Sequence, residues 1–218
     1  MKKKLFLFVV FLAGVFTSVD AQQNWGLRGG LNLSTLDMTQ AIFVGGNDNQ
    51  YKEGFRIGFV GNVENKRMFS IQPGLYLSMI GSRFKGTLNN VKTTEADRLF
   101  YFQLPVLGCL TLPLFRTEQR KWQFFAGPYV AYSIGGKAKF KNKGAVEKVS
   151  LFVEGEDGNQ GTLKKFDWGL TFGTGYTYHR LFVGLYYDLG MINIANKKIL
   201  EGVTAKNRNF SLTFGVNF

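Results

Sequence analysis

Hydrophobic and polar residues alternate one by one along eight stretches of this sequence. In the C-terminal stretch FSLTFGVNF, apolar residues fall at every second position from Phe210 to Phe218, and small or polar residues fall between them. Successive side chains of a β-strand point to opposite faces, so each stretch predicts a strand with one apolar and one polar face. The stretches cover residues 25–33, 55–63, 68–80, 99–112, 122–133, 166–178, 181–188 and 210–218.

The connections between the predicted strands alternate in length. Short turns are predicted at 64–67, 113–121 and 179–180, and long polar loops at 35–54, 81–98, 135–164 and 191–208. Short turns at one end and long loops at the other, with both chain termini at the turn end, are typical of outer-membrane barrels. The pattern predicts an all-β fold, an eight-stranded antiparallel transmembrane β-barrel in an up-and-down meander.

Two kinds of barrel show this alternation, and they place the apolar face on opposite sides. A soluble barrel such as a lipocalin turns it inward, whereas a membrane-spanning barrel turns it to lipid. The interior of an eight-stranded barrel is just wide enough for side chains, so several large rings from most strands would not fit there. We therefore expect the apolar faces to contact lipid. Rings near strand ends are expected in the interfacial girdles: Trp25, Trp122, Tyr132, Trp168, Tyr176 and Phe218.

The first 21 residues have the pattern of a secretory signal peptide. Three lysines precede the apolar run 5–16, and Val19 and Ala21 occupy the positions that a signal peptidase reads, so cleavage is predicted after Ala21. The run is too short for a spanning helix, which needs about 20 apolar residues. The chain therefore divides into a signal peptide (1–21) and a barrel domain (22–218), and the predicted location is the cell outer membrane. The single cysteine, Cys109, excludes an internal disulfide and is expected to be a small core or lipid-facing residue.

The chain is strongly basic. Cleavage removes three lysines and one aspartate, which changes the formal net charge from +12 to +10. Lysines concentrate in two of the predicted loops: Lys137, Lys139, Lys141, Lys143, Lys164, Lys165, Lys197 and Lys198. Outer-membrane lipid and lipopolysaccharide, with their phosphate groups, are the predicted partners of this loop patch, and a merely solvated loop is the alternative. Nucleic acid is not expected, because no base-reading motif accompanies the lysines.

Five polar residues fall on the predicted lumen face: Arg28, Arg56, Gln103, Asp167 and Asp188. Buried charges must be paired or hydrogen-bonded. We expect Arg56 to meet both aspartates near the loop end of the barrel, with Arg28 deeper. This polar network is predicted to stiffen and plug the lumen, and an ion pathway is the alternative.

The residues that enzymes and metal sites need are sparse. The one histidine, His179, falls in a predicted turn, whereas barrel enzymes of the outer membrane depend on a histidine at the outer face. No cluster of histidine, cysteine or carboxylate has metal-ligand spacing, and no phosphate-cradling loop precedes a helix. No catalytic residue, cofactor or metal site is predicted.

Four segments resemble the PorT-like outer-membrane β-barrel family of Bacteroidetes: FQLPVL (102–107), FFAGPYVAY (124–132), FDWGLTFGTGY (166–176) and YYDLGMINI (186–194). Gln103 departs from the family pattern, which often has an acidic residue there. The resemblance implies an outer-membrane barrel, and one family member is an accessory of a protein-secretion system. The terminal Phe218 resembles the signal that the outer-membrane assembly machinery reads.

Together these features predict a non-enzymatic barrel with a structural or interaction role, as an accessory to a secretion or envelope complex or with loops that bind an external partner. A small porin-like diffusion channel is the first alternative, and a lipid A-modifying enzyme is the second. A lipocalin-like soluble barrel would differ from all three, because osmotic shock rather than detergent would release it.

Overall fold

The computed structural model describes residues 23–38, 48–64, 68–88, 91–114, 119–142, 145–150, 163–196 and 203–218. The predicted signal peptide with its cleavage site after Ala21, and three of the predicted patch residues, Lys143, Lys197 and Lys198, lie outside these ranges. Within the ranges the chain forms ten strands: β1 (Gln23–Met38), β2 (Asp48–Glu64), β3 (Phe69–Ile80), β4 (Ser82–Leu88), β5 (Val91–Pro113), β6 (Arg120–Asn142), β7 (Ala145–Ser150), β8 (Phe166–Tyr178), β9 (Leu181–Gly190) and β10 (Ala205–Asn217).

The strands build a closed antiparallel barrel with a wall of eight strands, which confirms the predicted fold. β4 continues β3 beyond Gly81 and keeps its register against β5, so β3 and β4 count as one strand of the wall. β7 lies outside the closed wall as a hairpin with the end of β6. Among the described residues, no helix has the length and apolarity needed to cross a membrane.

The C-terminal strand closes the barrel against the first strand. β10 pairs with β1 from Gly26↔Asn217 to Met38↔Ala205, and the Phe218 amide donates to the Trp25 carbonyl at 2.8 Å. The start of β1, the end of β10 and the facing ends of β2 and β3, of β5 and β6, and of β8 and β9 lie at one end of the barrel, which we call the turn end. The opposite end is the loop end.

Apolar side chains cover the outside of the wall. On β10 the ring of Phe214 is 56% exposed, whereas its neighbour Thr213 is 0% exposed. The same alternation holds on β1, where Leu31 is 67% exposed and Asn32 is 1% exposed. A soluble barrel would bury these apolar residues, so the outward face is the one that contacts lipid.

The predicted girdle rings lie on this outward surface, near strand ends except for Tyr132, which is in the middle of β6. Trp25, Trp122, Tyr132, Trp168 and Phe218 are exposed, and Tyr176 packs against Trp122 with 6.1 Å between ring centroids.

All four predicted loops are partly strand, and the loops 81–98 and 135–164 contain the most strand residues. β5 and β6 have 23 residues each, whereas a tilted transmembrane strand needs about 9–11 residues. The predicted loop 81–98 contains β4 and the start of β5, and the predicted loop 135–164 contains the end of β6 and β7. The loop prediction was wrong there because backbone pairing of β4, β5, β6 and β7 continues beyond the loop end.

Candidate functional site

The lumen is filled by side chains in three layers. At the turn end lies an apolar cluster that we call the turn-end cluster: Leu107, Cys109, Phe125, Phe182 and Tyr186. At the loop end lies a second one, the loop-end cap: Leu36, Leu99, Tyr101, Tyr129, Ala131, Leu163, Ile194, Ala195 and Ala205. Between the two clusters the lumen carries polar and charged residues, which we call the charged layer.

The charged layer contains a buried ion pair. The Arg56 guanidinium lies 3.6 Å from an Asp188 carboxylate oxygen, and both side chains are at most 5% exposed. Arg56 also donates to Ser211 Oγ at 3.2 Å and lies over the Tyr76 ring, 4.1 Å from its centroid. Asp188 accepts hydrogen bonds from Thr171 at 2.7 Å and from Asn209 at 3.0 Å. Such additional bonds offset the desolvation of both charges.

Asp167 lies toward the loop end and is held without a cation. Its Oδ2 accepts hydrogen bonds from the Tyr129 hydroxyl at 3.1 Å and from Asn207 Nδ2 at 2.8 Å. Among the described residues, its buried Oδ1 has no hydrogen-bond partner and Asp167 forms no ion pair. The structure therefore pairs Arg56 with Asp188 and not with Asp167, whose described side-chain donors are neutral groups of β6 and β10.

Gln103 and both aspartates line the same small cavity. Gln103 Oε1 accepts from Ser78 at 3.3 Å. The cavity has a volume of about 20 Å³, and Tyr101 and Asn207 are among its walls. This volume holds about one water molecule, so the cavity has no room for a larger solute.

Arg28 is separate from the other charged residues and lies at the turn end. Its guanidinium donates to Asn217 Oδ1 at 2.6 Å and to the Val216 carbonyl at 3.3 Å. It also lies over the Phe182 ring at 4.2 Å, and the side chain is 2% exposed. Arg28 therefore joins the turn-end cluster to the closing strand.

Several aromatic rings point into the lumen, and glycines on neighbouring strands make room for them. A Cβ atom at Gly58 would lie 2.5 Å from the Tyr76 ring, and one at Gly173 would lie 2.5 Å from the Tyr186 ring. Large rings thus fit an eight-stranded lumen where the facing position carries no side chain. The glycines on the polar faces were the available signal for these rings.

The predicted loop 191–208 contributes to the loop-end cap. Ile194 and Ala195 are 0% exposed, and the Lys164 amide donates to the Ile194 carbonyl at 2.7 Å. Asn193 holds the segment in place because its Oδ1 accepts from the Ala195 and Ala205 amides, both at 2.9 Å. Residues 191–196 lie across the loop end of the lumen, whereas a solvent-exposed loop was expected.

The predicted basic patch is divided between strand and loop. Lys137, Lys139 and Lys141 belong to β6. Lys164 is exposed and donates to the Asn193 carbonyl at 3.3 Å, and Lys165 follows it directly before β8. The three lysines of β6 have a paired strand on each side, β5 and β7, so the register assigns them to one face of the sheet.

Among the described residues, the side chains that enzymes and metal sites commonly use do not cluster. No group of three or more histidine, cysteine or carboxylate side chains is arranged to hold a metal ion there. His179 lies in the β8–β9 turn with φ 54°, at the turn end, and packs against Tyr178 with 4.4 Å between ring centroids. Cys109 is 2% exposed within the turn-end cluster.

Comparisons with solved structures find distantly similar bacterial surface proteins. The attachment invasion locus protein Ail of Yersinia pestis, solved in complex with the heparin analogue sucrose octasulfate, is 15% identical over 90% of this chain and 99% of its own, with a TM-score of 0.42. Neisserial surface protein A is 10% identical over 89% of this chain and 97% of its own, with a TM-score of 0.43. At these identities the similarity concerns the fold alone. A search of curated proteins finds no match.

A sequence model of the family described as "Outer membrane protein beta-barrel domain" matches residues 20–196, which is most of the chain. The chain therefore belongs to the outer membrane protein beta-barrel domain family.

Proposed function

We propose that this protein is a closed, non-enzymatic outer-membrane barrel of the PorT-like kind, with an interaction role in a secretion or envelope complex. The observation that carries the proposal is the filled lumen. Two apolar clusters and a buried ion pair occupy it, and the cavity between them holds about one water. A barrel filled in this way acts through its outer surface rather than by passing solutes.

The part of the barrel beyond the loop end supports an interaction role. β5 and β6 span about 75 Å each at about 3.3 Å per residue, far more than the membrane requires. Their extensions, with β4 and β7, form a paired sheet outside the membrane. A photocrosslinker placed at Lys139 should capture a partner from outer membranes, whereas one at Arg180 in the β8–β9 turn should not. Equal capture at both positions would count against this surface.

Planar-bilayer recordings test the closed lumen directly. We expect the refolded barrel to show no steady open channel, because ions would have to cross both apolar clusters and the Arg56–Asp188 pair. A known porin reconstituted at the same protein-to-lipid ratio serves as the control for insertion. Steady single-channel steps from the wild-type chain would overturn the proposal in favour of a diffusion channel.

Phe218 is proposed to act in assembly more than in stability. Its ring is 70% exposed, and its amide contributes one hydrogen bond, to Trp25. Deleting Phe218 should therefore change the free energy of unfolding by only about 1 kcal/mol. We expect a several-fold loss of folded protein from the outer membrane, measured as the heat-modifiable band.

Phe214 provides the matched control, since it is another lipid-facing ring on β10 and is 56% exposed. Phe214→Ala should leave the amount of folded protein close to wild type. Normal insertion of the chain without Phe218 would remove the assembly role.

A further inference from the structure

The strand extensions beyond the loop end form one sheet, which we call the outer sheet. It consists of β4, residues 91–98 of β5, residues 137–142 of β6, and β7, and residues 48–51 of β2 flank it. Its register runs through Arg83↔Ala96, Arg98↔Lys137 and Lys139↔Lys148. Residues directly opposite each other share a face of the sheet, as do alternate residues along a strand. The register therefore assigns every position of the outer sheet to one of two faces.

The charged residues separate by face. All basic residues of the outer sheet lie on one face, which we call the basic face: Arg83, Lys85, Lys92, Arg98, Lys137, Lys139, Lys141 and Lys148. Glu95, Asp97 and Glu147 all lie on the opposite face. Asp48 of β2, opposite Lys85, is the one acidic position on the basic side within the described residues. Within the described residues, the basic face thus carries eight basic positions and one acidic position.

The basic face continues the lipid-facing surface of the barrel. On β5 the ring of Phe102 is 46% exposed, and Arg98, four residues further toward the loop end, is also exposed. Leu99, on the other side of the strand, is 0% exposed in the loop-end cap. The basic face therefore begins about 13 Å along the strand beyond a lipid-facing ring.

A β-bulge places the lysines of β6 on this side. Tyr101 pairs with Ser133 and Phe100 with Gly135, so Ile134 is the extra residue. Below the bulge the odd-numbered residues of β6, such as Ser133, are buried in the lumen. The extra residue reverses this alternation, so Lys137 shares a face with the exposed Arg98. Without the bulge the three lysines of β6 would belong to the lumen side.

We propose that the basic face binds the phosphate groups of lipopolysaccharide molecules that pack against the outside of the barrel. Charge complementarity supports this partner, since eight cations on one face attract a polyanion and repel other cations. Position supports it too, because the face rises directly from the lipid-contacting rings, at the level of anionic headgroups. The inference rests on the proposed interaction role and names a lipid as one partner of that surface.

The test compares two triple variants of the full-length chain with the same change in charge. K137Q/K139Q/K141Q neutralises three positions of the basic face, and R120Q/K121Q/R180Q neutralises three cations at the turn end. The heat-modifiable band confirms folding of each variant, and K139Q alone is the milder substitute if the first triple does not fold. Thermophoresis in one detergent measures binding of fluorescent bisphosphorylated lipid A, and the same lipid without phosphates is the second probe.

We expect the basic-face triple to bind bisphosphorylated lipid A on the order of a hundredfold more weakly than wild type, and the turn-end triple to bind within about twofold of wild type. Binding to wild type should weaken as salt rises, and the dephosphorylated lipid should not distinguish the variants. Equal loss in both triples, no loss in the first, or equal binding of both lipids would overturn the inference. If crosslinking at Lys139 still captures a protein in that case, the proposed function stands and only the lipid partner falls.

Discussion

Replacing Arg56 with methionine is expected to lower the free energy of unfolding by about 3–5 kcal/mol. The substitution removes the cation 3.6 Å from Asp188 and leaves that carboxylate buried in the lumen. It also removes the contact with the Tyr76 ring, 4.1 Å from the guanidinium carbon. Urea unfolding of the refolded barrel, followed by tryptophan fluorescence, measures the loss.

The double variant Arg56→Met with Asp188→Asn separates charge from packing. Because most of the expected loss comes from the unpaired carboxylate, the double variant should recover most of the stability. If the double variant is as unstable as Arg56→Met alone, the loss is one of packing, and the ion pair does not stabilise the charged layer.

Asp167 is the matched comparison, since it is buried to the same degree but has no cation among the described residues. Asp167→Asn keeps an oxygen to accept from Tyr129 and Asn207 and removes an uncompensated charge. We expect a change of less than about 1 kcal/mol, in either direction. A loss as large as that of Arg56→Met would mean that the carboxylate charge of Asp167 stabilises the fold.

Placing valine at Gly30 is expected to destabilise the barrel by about 2–3 kcal/mol and to reduce its folded yield. A Cβ atom there would collide with the Leu212 carbonyl oxygen and lie 2.8 Å from the Thr213 Cα atom. Both are backbone atoms of β10, so they cannot move aside as a flexible side chain could. The collision lies at the seam where β1 and β10 close the barrel.

Gly29 supplies the control one residue away. A Cβ atom at Gly29 has nothing within 4 Å, so Gly29→Val should leave the folded yield and the unfolding midpoint near wild type. Both variants have the same side chain on the same strand, and only the face differs. Equal effects of Gly29→Val and Gly30→Val would show that chain flexibility, rather than close approach at the seam, explains the glycine.

The outward surface could be predicted from the sequence, because the alternation of residues that creates it is local to each strand. A strand with the alternation of FSLTFGVNF needs no partner to define its two faces. The volume of an eight-stranded lumen then decides which face meets lipid. For these reasons residue order alone predicts the eight strands of the barrel wall, the closing of β10 on β1 and the outward rings.

The side chains that fill the lumen could be predicted only in part. Arg56 and Asp188 were identifiable as inward positions, but the neutral donors around Asp167 come from β6 and β10, far away in the chain. Which inward residues meet depends on the stagger between strands, and alternation within a strand does not report it. The loop-end cap was missed for a related reason, since Ile194 belongs to a segment that folds back over the loop end of the lumen.

The order of residues is sufficient to predict the barrel, its strand faces and its contact with lipid, because period-two alternation is present within each strand. The charges that meet, the fit of rings such as Tyr186 against Gly173, and the side of β6 that carries its lysines depend on how the strands are paired. The last depends on one extra residue, Ile134, whose effect exists only relative to the partner strand. Register between strands is a property of the closed barrel, and it converts a scattered set of lysines into a single basic face.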